Sequence, residues 1–121
     1  MRRKSANKPF KFTIDRRPVV KGRPRLGRRG KVFTPVKTLE AEAYVAECYQ
    51  RNGGPLFQKP VMIDAVFFYN KTEVTITPLG EDHTSKLRGD TDNYLKMLLD
   101  GLNGYAYFDD RSVMIVRGEK R

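Results

Sequence analysis

The chain has 121 residues, 24 Lys and Arg against 14 Asp and Glu, a formal net charge of +10, one cysteine and one histidine. That length suits one domain with a modest core. No apolar run approaches the roughly 20 residues of a membrane span, and the basic start leads into no apolar signal core, so a cytoplasmic protein is expected. The lone Cys48 excludes an internal disulfide and zinc sites built from cysteine pairs, and the lone His83 excludes most His-rich metal sites and Ser-His machinery. Chemistry, if present, must rest on carboxylates and lysine.

The charge is segregated. Residues 1–37 carry 14 Lys or Arg and a single acid, Asp15, whereas residues 38–121 carry 10 bases and 13 acids. A basic segment of this density gains affinity for a phosphodiester backbone by releasing counterions, which makes nucleic acid the leading partner. Residues 1–8 read as a flexible basic tail.

In chain order, PFKFTID at residues 9–15 alternates Phe10, Phe12 and Ile14 with other residues, which predicts a half-buried strand. The following RRPVVKGRPRLGRRGKVFTP sets Gly22, Gly27 and Gly30 among bases and is broken by Pro18, Pro24 and Pro35, so it reads as a long loop or loose hairpin. On such a loop Lys21, Arg23, Arg25, Arg28, Arg29 and Lys31 can reach phosphates along a groove. A first helix is predicted over residues 38–51, with Thr38 as N-cap and Glu40 and Glu42 in its first turn. Leu39, Ala43, Ala46 and Tyr49 fall near one face, and Gly53, Gly54 and Pro55 end the helix. Glu40, Glu42 and Glu47 read as its solvated side and Cys48 as a small buried residue.

Residues 60–70 predict a strand inside the sheet, with Val61, Ile63, Ala65 and Phe67 on one face and Met62, Asp64, Val66 and Phe68 on the other. Residues 73–77 suggest a further short strand. The polar stretch that follows reads as a loop, functional or mobile by its length, and its His83 has no partner visible in the sequence.

The stretch RGDTDNYLKMLLDGLNGYAYFDD, residues 88–110, gathers acids in an otherwise basic chain. Leu95, Leu98, Leu99 and Leu102 follow the i, i+3, i+4, i+7 spacing of a helix near residues 92–103 that turns one face to a core. Asp92, Lys96 and Asp100 line up on the other face, with Cβ atoms roughly 5–6 Å apart. Gly101 and Gly104 end the helix, and a short return can bring Asp109 or Asp110 back near Asp90 and Asp92, before RSVMIV begins another strand near residues 112–117. Carboxylates from two segments, with no nitrogen or sulfur, suit a hard divalent cation, magnesium rather than zinc. The alternative is structural: Asp90 as an N-cap and Asp109 and Asp110 as turn residues.

Taken whole, the same stretch resembles the RusA family of Holliday-junction resolvases. Its Asp-x-Asp-Asn, the lysine three residues later, the Leu-Asp-Gly-Leu helix end and the aromatic run closing in Asp-Asp match that family's hallmark, and KGRPRLGRRGKVFTP before an acidic helix is similar to its N-terminal half. The resemblance spans residues 9–117. It implies a magnesium-dependent endonuclease, with Mn2+ as a substitute, that works as a homodimer on branched DNA and nicks two opposed strands of a four-way junction in recombination and repair. By motif position it implies Asp90, Asp92 and Asp110 as metal ligands and Lys96 as the catalytic lysine, with Asp109 a ligand or a support and Asp100 a partner of Lys96. The link over residues 71–89 is longer than the family's, and family members usually continue into a further strand.

The expected fold class is therefore α+β: a single domain over residues 1–121, with a small mixed β-sheet packed against two main helices. The runner-up function is a non-catalytic nucleic-acid-binding protein. A nucleotide-sugar transferase using Asp-x-Asp is disfavoured, because the chain is short and the basic arm has no role in it.

Overall fold

The computed structural model describes residues 7–22, 25–27 and 30–121. They form an α+β fold divided into two compact units, Met1–Gly80 and Glu81–Arg121. Among the described residues no helix is long and apolar enough to cross a membrane.

In the first unit, β1 (Phe10–Ile14), β4 (Val61–Phe67) and β5 (Thr72–Pro78) form a sheet in the order β1-β5-β4. Both pairings are antiparallel: Phe12 stands opposite Val74, which also faces Ala65. The centre of the sheet is thus β5, whose residues are mostly half-buried, and β4 is an edge strand exposed along its whole length. This corrects the expectation that residues 60–70 lie inside the sheet. Alternation of apolar residues is shared by central and edge strands, so it cannot rank them. The sheet is antiparallel rather than mixed, and β4 and β5 form a hairpin closed by the Phe68 N–H donating to the Lys71 carbonyl at 2.8 Å.

Helix α1 (Val36–Arg51) packs on β1 through Tyr49, whose ring meets Phe10 at 5.4 Å and Phe12 at 5.2 Å, both edge-on. Edge-to-face pairs set the positive rim of one ring against the negative face of another. The Tyr49 hydroxyl donates to the Pro55 carbonyl, which folds the chain leaving α1 back against the ring. Gly53 has φ 73°, a left-handed conformation that a side chain resists, and the helix ends there as predicted. At the other end of β1, Tyr44 donates to the Asp15 carboxylate and holds its pKa below 3.8, with Arg51 3.9 Å away. Cys48 is fully buried, as expected, and Glu42 and Glu47 are exposed partners of Lys21 and Arg51.

The start of α1 differs from the sequence expectation. The helix begins at Val36 because the Pro35 carbonyl accepts from Thr38 and Leu39 at 3.1 and 3.2 Å, and Pro35 has φ −55°. Thr38 is therefore inside the helix rather than its cap, and no acid lies in the first turn. Its hydroxyl is instead buried and accepts from the Gly22 N–H at 2.9 Å, which ties the basic arm to α1. Beyond Gly22 the arm forms the loose hairpin that its glycines predict: β2 (Arg25–Leu26) pairs antiparallel with β3 (Val32–Phe33).

The second unit is built on α2 (Thr91–Leu102). Leu95 and Leu99 are half-buried, while Leu98 is 57% and Leu102 38% exposed, so the predicted apolar stripe is only partly covered. After α2 comes a 3-10 turn, Asp110–Ser112, and the rest of the chain has no regular structure. The strand expected near 112–117 is absent among the described residues. Val113 to Val116 are β-formers, but no neighbouring strand takes up their backbone groups.

The Tyr49 wedge gives a stability test. A Cβ at Gly54 would sit 2.4 Å from the Tyr49 ring, so Gly54→Ala should destabilise the protein by about 1–3 kcal/mol in urea unfolding. A change within about 0.5 kcal/mol would show that the ring moves aside freely.

Candidate active site

The carboxylates singled out by sequence are set by the two ends of α2. At its head, Asp90 has extended geometry, φ −72° and ψ 145°, and its carbonyl accepts from Asn93 at 3.1 Å and Tyr94 at 3.3 Å. Its backbone is in the N-cap position, yet its carboxylate makes no capping hydrogen bond. Asp92 lies in the first turn, where the positive end of the helix dipole favours an anion. Lys96 follows one turn on and is exposed, as are Asp90 and Asp92. Among the described residues none of these three is in an ion pair, and Lys96 is not paired with Asp100.

The residue before Asp90 is held on both sides. The Gly89 N–H donates to the Tyr94 hydroxyl at 3.0 Å, and its carbonyl accepts from the Lys120 ammonium at 3.1 Å. A Cβ on Gly89 would come within 2.9 Å of the Tyr94 ring, so only glycine fits without displacing it. The entry to α2 is thus fixed by Tyr94 and Lys120, and both carboxylates are left free.

At the tail, Gly104 with φ 84° lets the chain double back, and Gly104 N–H donates to the Tyr107 carbonyl at 2.8 Å. The Tyr107 hydroxyl then lies 2.9 Å from both the Leu99 carbonyl and the Asp110 carboxylate. One hydroxyl has a single proton, and the Leu99 carbonyl already accepts from Asn103 at 2.9 Å, which makes the carboxylate the acceptor with more to gain. Partial burial, then the hydrogen bond to Asp110 and its charge, raise the Tyr107 pKa above that of a free tyrosine. Asp109 has a different role, accepting from Arg111 N–H at 3.4 Å and from Arg111 Nε at 3.2 Å and so capping the 3-10 turn.

The return after α2 therefore brings Asp110 level with Leu99. The rise from residue 92 to residue 99 is about 10 Å at 1.5 Å per residue. Among the described residues no three His, Cys, Asp or Glu side chains are grouped to hold one metal ion. In kind the donors suit magnesium, being carboxylates only. In arrangement, Asp90 and Asp92 share one turn while Asp110 is held at the far end of the helix.

Of the basic arm, Lys31 is exposed and Lys21 is 3.5 Å from Glu42 in a solvated pair of little energetic weight. Arg25 is in β2, and Arg23, Arg28 and Arg29 lie outside the described residues. Four residues with no signature in the sequence are prominent in the structure. Arg16 stacks on Tyr44 at 3.5 Å and Arg17 on Tyr69 at 3.9 Å, cation–π contacts that hold two guanidinium groups in place. Tyr107 and Lys120 complete the set, and their contacts depend on the return of the chain along α2, which no local spacing encodes. His83, without a visible partner in the sequence, lies 3.6 Å from Glu119, whose pKa is lowered below 4.5 chiefly by Arg121.

Net positive charge and exposed carboxylates at a helix head are together compatible with a phosphodiester ligand. Residues 15–121 match the family described as Endodeoxyribonuclease RusA. The chain belongs to this RusA family of endodeoxyribonucleases. Searches among curated proteins and among solved structures found no match.

The unused Asp90 carboxylate can be tested by stability alone. Asp90→Asn and Asp90→Ala both remove the charge, but only Asn can cap. Their unfolding free energies should agree within about 0.5 kcal/mol, whereas a gap of about 1–2 kcal/mol would make Asp90 a capping residue.

Proposed function

We propose that this protein is a magnesium-dependent, structure-selective endodeoxyribonuclease that resolves four-way DNA junctions by paired symmetric nicks, in recombination and repair in the cytoplasm. The observation that carries this reading is the family match over residues 15–121, to which the uncapped Asp90 and the exposed Asp92 add free carboxylates. In this reading the 121 residues act as one endonuclease, with Asp90, Asp92 and, by motif position rather than by its place at the far end of α2, Asp110 as metal ligands and Lys96 as the catalytic lysine.

A bound divalent ion, Mg2+ or Mn2+, supplies charge neutralisation at the phosphate and a more acidic water. Asp90 and Asp92 orient the reacting phosphodiester's surroundings from a turn that Gly89 holds rigid. Lys96 offers three N–H donors to negative charge developing on the phosphate. Tyr107 keeps the Asp110 carboxylate in one orientation, and Asp109 supports the turn beneath it. Lys21, Arg23, Arg25, Arg28, Arg29 and Lys31 bind the backbone of the DNA arms, joined by Arg16 and Arg17.

Two symmetric nicks require two sites. A small single-site chain supplies them most simply as a C2 homodimer. Phe67 at 70% exposure and Ile115 at 83% are apolar surface available for sharing between subunits.

Asp→Asn at Asp90, Asp92 or Asp110 should abolish cleavage of a four-way junction while leaving its binding intact or tighter in a gel-shift assay. Wild-type cleavage by one of these variants would remove that residue from the site. Replacing Arg23, Arg25, Arg28 and Arg29 together by Ala should weaken binding and flatten its salt dependence, by about one unit of slope for each phosphate no longer neutralised. An unchanged slope would place the DNA surface elsewhere.

A further inference from the structure

We propose that Lys120 is a second cation of the active site, binding the same phosphodiester that Asp90 and Asp92 address. The inference rests on the nuclease reading above and adds to it a residue 31 positions away from the acidic motif. Its geometry is direct. The Lys120 ammonium lies 3.1 Å from the Gly89 carbonyl, which is the carbonyl of the peptide bond leading into Asp90.

The lysine is held there by its neighbours. A Cβ on Gly118 would come within 2.8 Å of the Leu95 side chain, so the chain passes closely along α2 at that point. Glu119 pairs with His83 at 3.6 Å, and the Arg121 carbonyl accepts from the Ser85 hydroxyl at 3.0 Å. With both flanking residues tied to the 81–90 segment, the Lys120 side chain loses little further freedom on binding a ligand.

Among the described residues the ammonium has no counterion. It carries three donors, and the carbonyl of Gly89 takes one. Among the described residues no carboxylate forms an ion pair with it, and the adjacent Glu119 is engaged by His83 and by Arg121. Lys120 is half-buried, and a partly desolvated charge gains most from a bound anion. The anion that belongs at the head of α2 is a phosphate, and two unused N–H groups suit its non-bridging oxygens. Lys96 stands on the exposed face of α2; Lys120 approaches from the other segment, so the phosphate meets cations from two directions.

A plain structural clasp would use the hydrogen bond to Gly89 but not the charge, and substitution separates the two. Lys120→Gln keeps an N–H donor and loses the charge; Lys120→Arg keeps the charge. In single-turnover cleavage of a four-way junction with Mg2+ by the full chain, Lys120→Gln should lower the rate about 10- to 100-fold, with junction affinity within about threefold of wild type. Lys120→Arg should recover most of that loss, and circular dichroism should give both variants the wild-type melting temperature. Cleavage by Lys120→Gln at the wild-type rate would overturn the proposal, as would a rate loss that tracks a lowered melting temperature. Failure of the nuclease reading looks different: the wild-type chain itself would then leave the four-way junction uncut with Mg2+.

Discussion

Everything in the second unit depends on how the chain enters α2. A helix start has N–H groups to satisfy, and an aspartate in the N-cap position usually spends its carboxylate on them. Here the backbone on that side is secured through Gly89 instead, by the Tyr94 hydroxyl on its N–H and the Lys120 ammonium on its carbonyl. With those two side chains holding the backbone, two carboxylates one residue apart remain at the positive end of a helix. That division leaves the head of α2 with carboxylates that the helix start itself does not use.

The tail of α2 shows the complementary arrangement. Adjacent aspartates, equal in the sequence, are given different roles by one turn of 3-10 helix. Asp109 faces Arg111 and caps the turn, while Asp110 faces the Tyr107 hydroxyl, which is also beside the Leu99 carbonyl. The tyrosine couples the orientation of a carboxylate to the last turn of the helix. Because hydrogen bonds to an ionised acceptor are stronger than neutral ones, the carboxylate sets where the hydroxyl points.

The first unit solves a different problem, that of attaching a dense positive segment to a small sheet. Like charges repel, so a run of bases gains nothing from packing together, and its anchors are polar or aromatic. Thr38 accepts from Gly22, Tyr44 and Tyr69 carry Arg16 and Arg17 on their faces, and Asp15 is held by Tyr44 near Arg51. The two aromatic faces hold the Arg16 and Arg17 guanidinium groups in fixed orientations, which suits phosphate binding by arginine.

By itself the sequence determined the element types and the chemistry available. Period-two alternation placed β1 and β4, residues 73–77 suggested β5, the leucine spacing placed α2, glycines marked the arm as a loop or loose hairpin and the end of α1, and the acidic stretch within a basic chain carried the family. These are local properties, written in spacing and residue type. Tertiary structure alone decided which strand is central, since edge and centre strands share one pattern, and whether Val113 to Val116 join a sheet, since a strand needs a partner and not only β-branched residues. It moved the start of α1 from Thr38 to Val36, because the Pro35 carbonyl accepts the N–H groups of Thr38 and Leu39 and so opens the helix two residues earlier. It also selected Tyr107 and Lys120, whose contacts join residues 8 and 31 positions apart. Long-range contacts of this kind arise only when the chain returns along α2, so no reading of neighbouring residues could reach them.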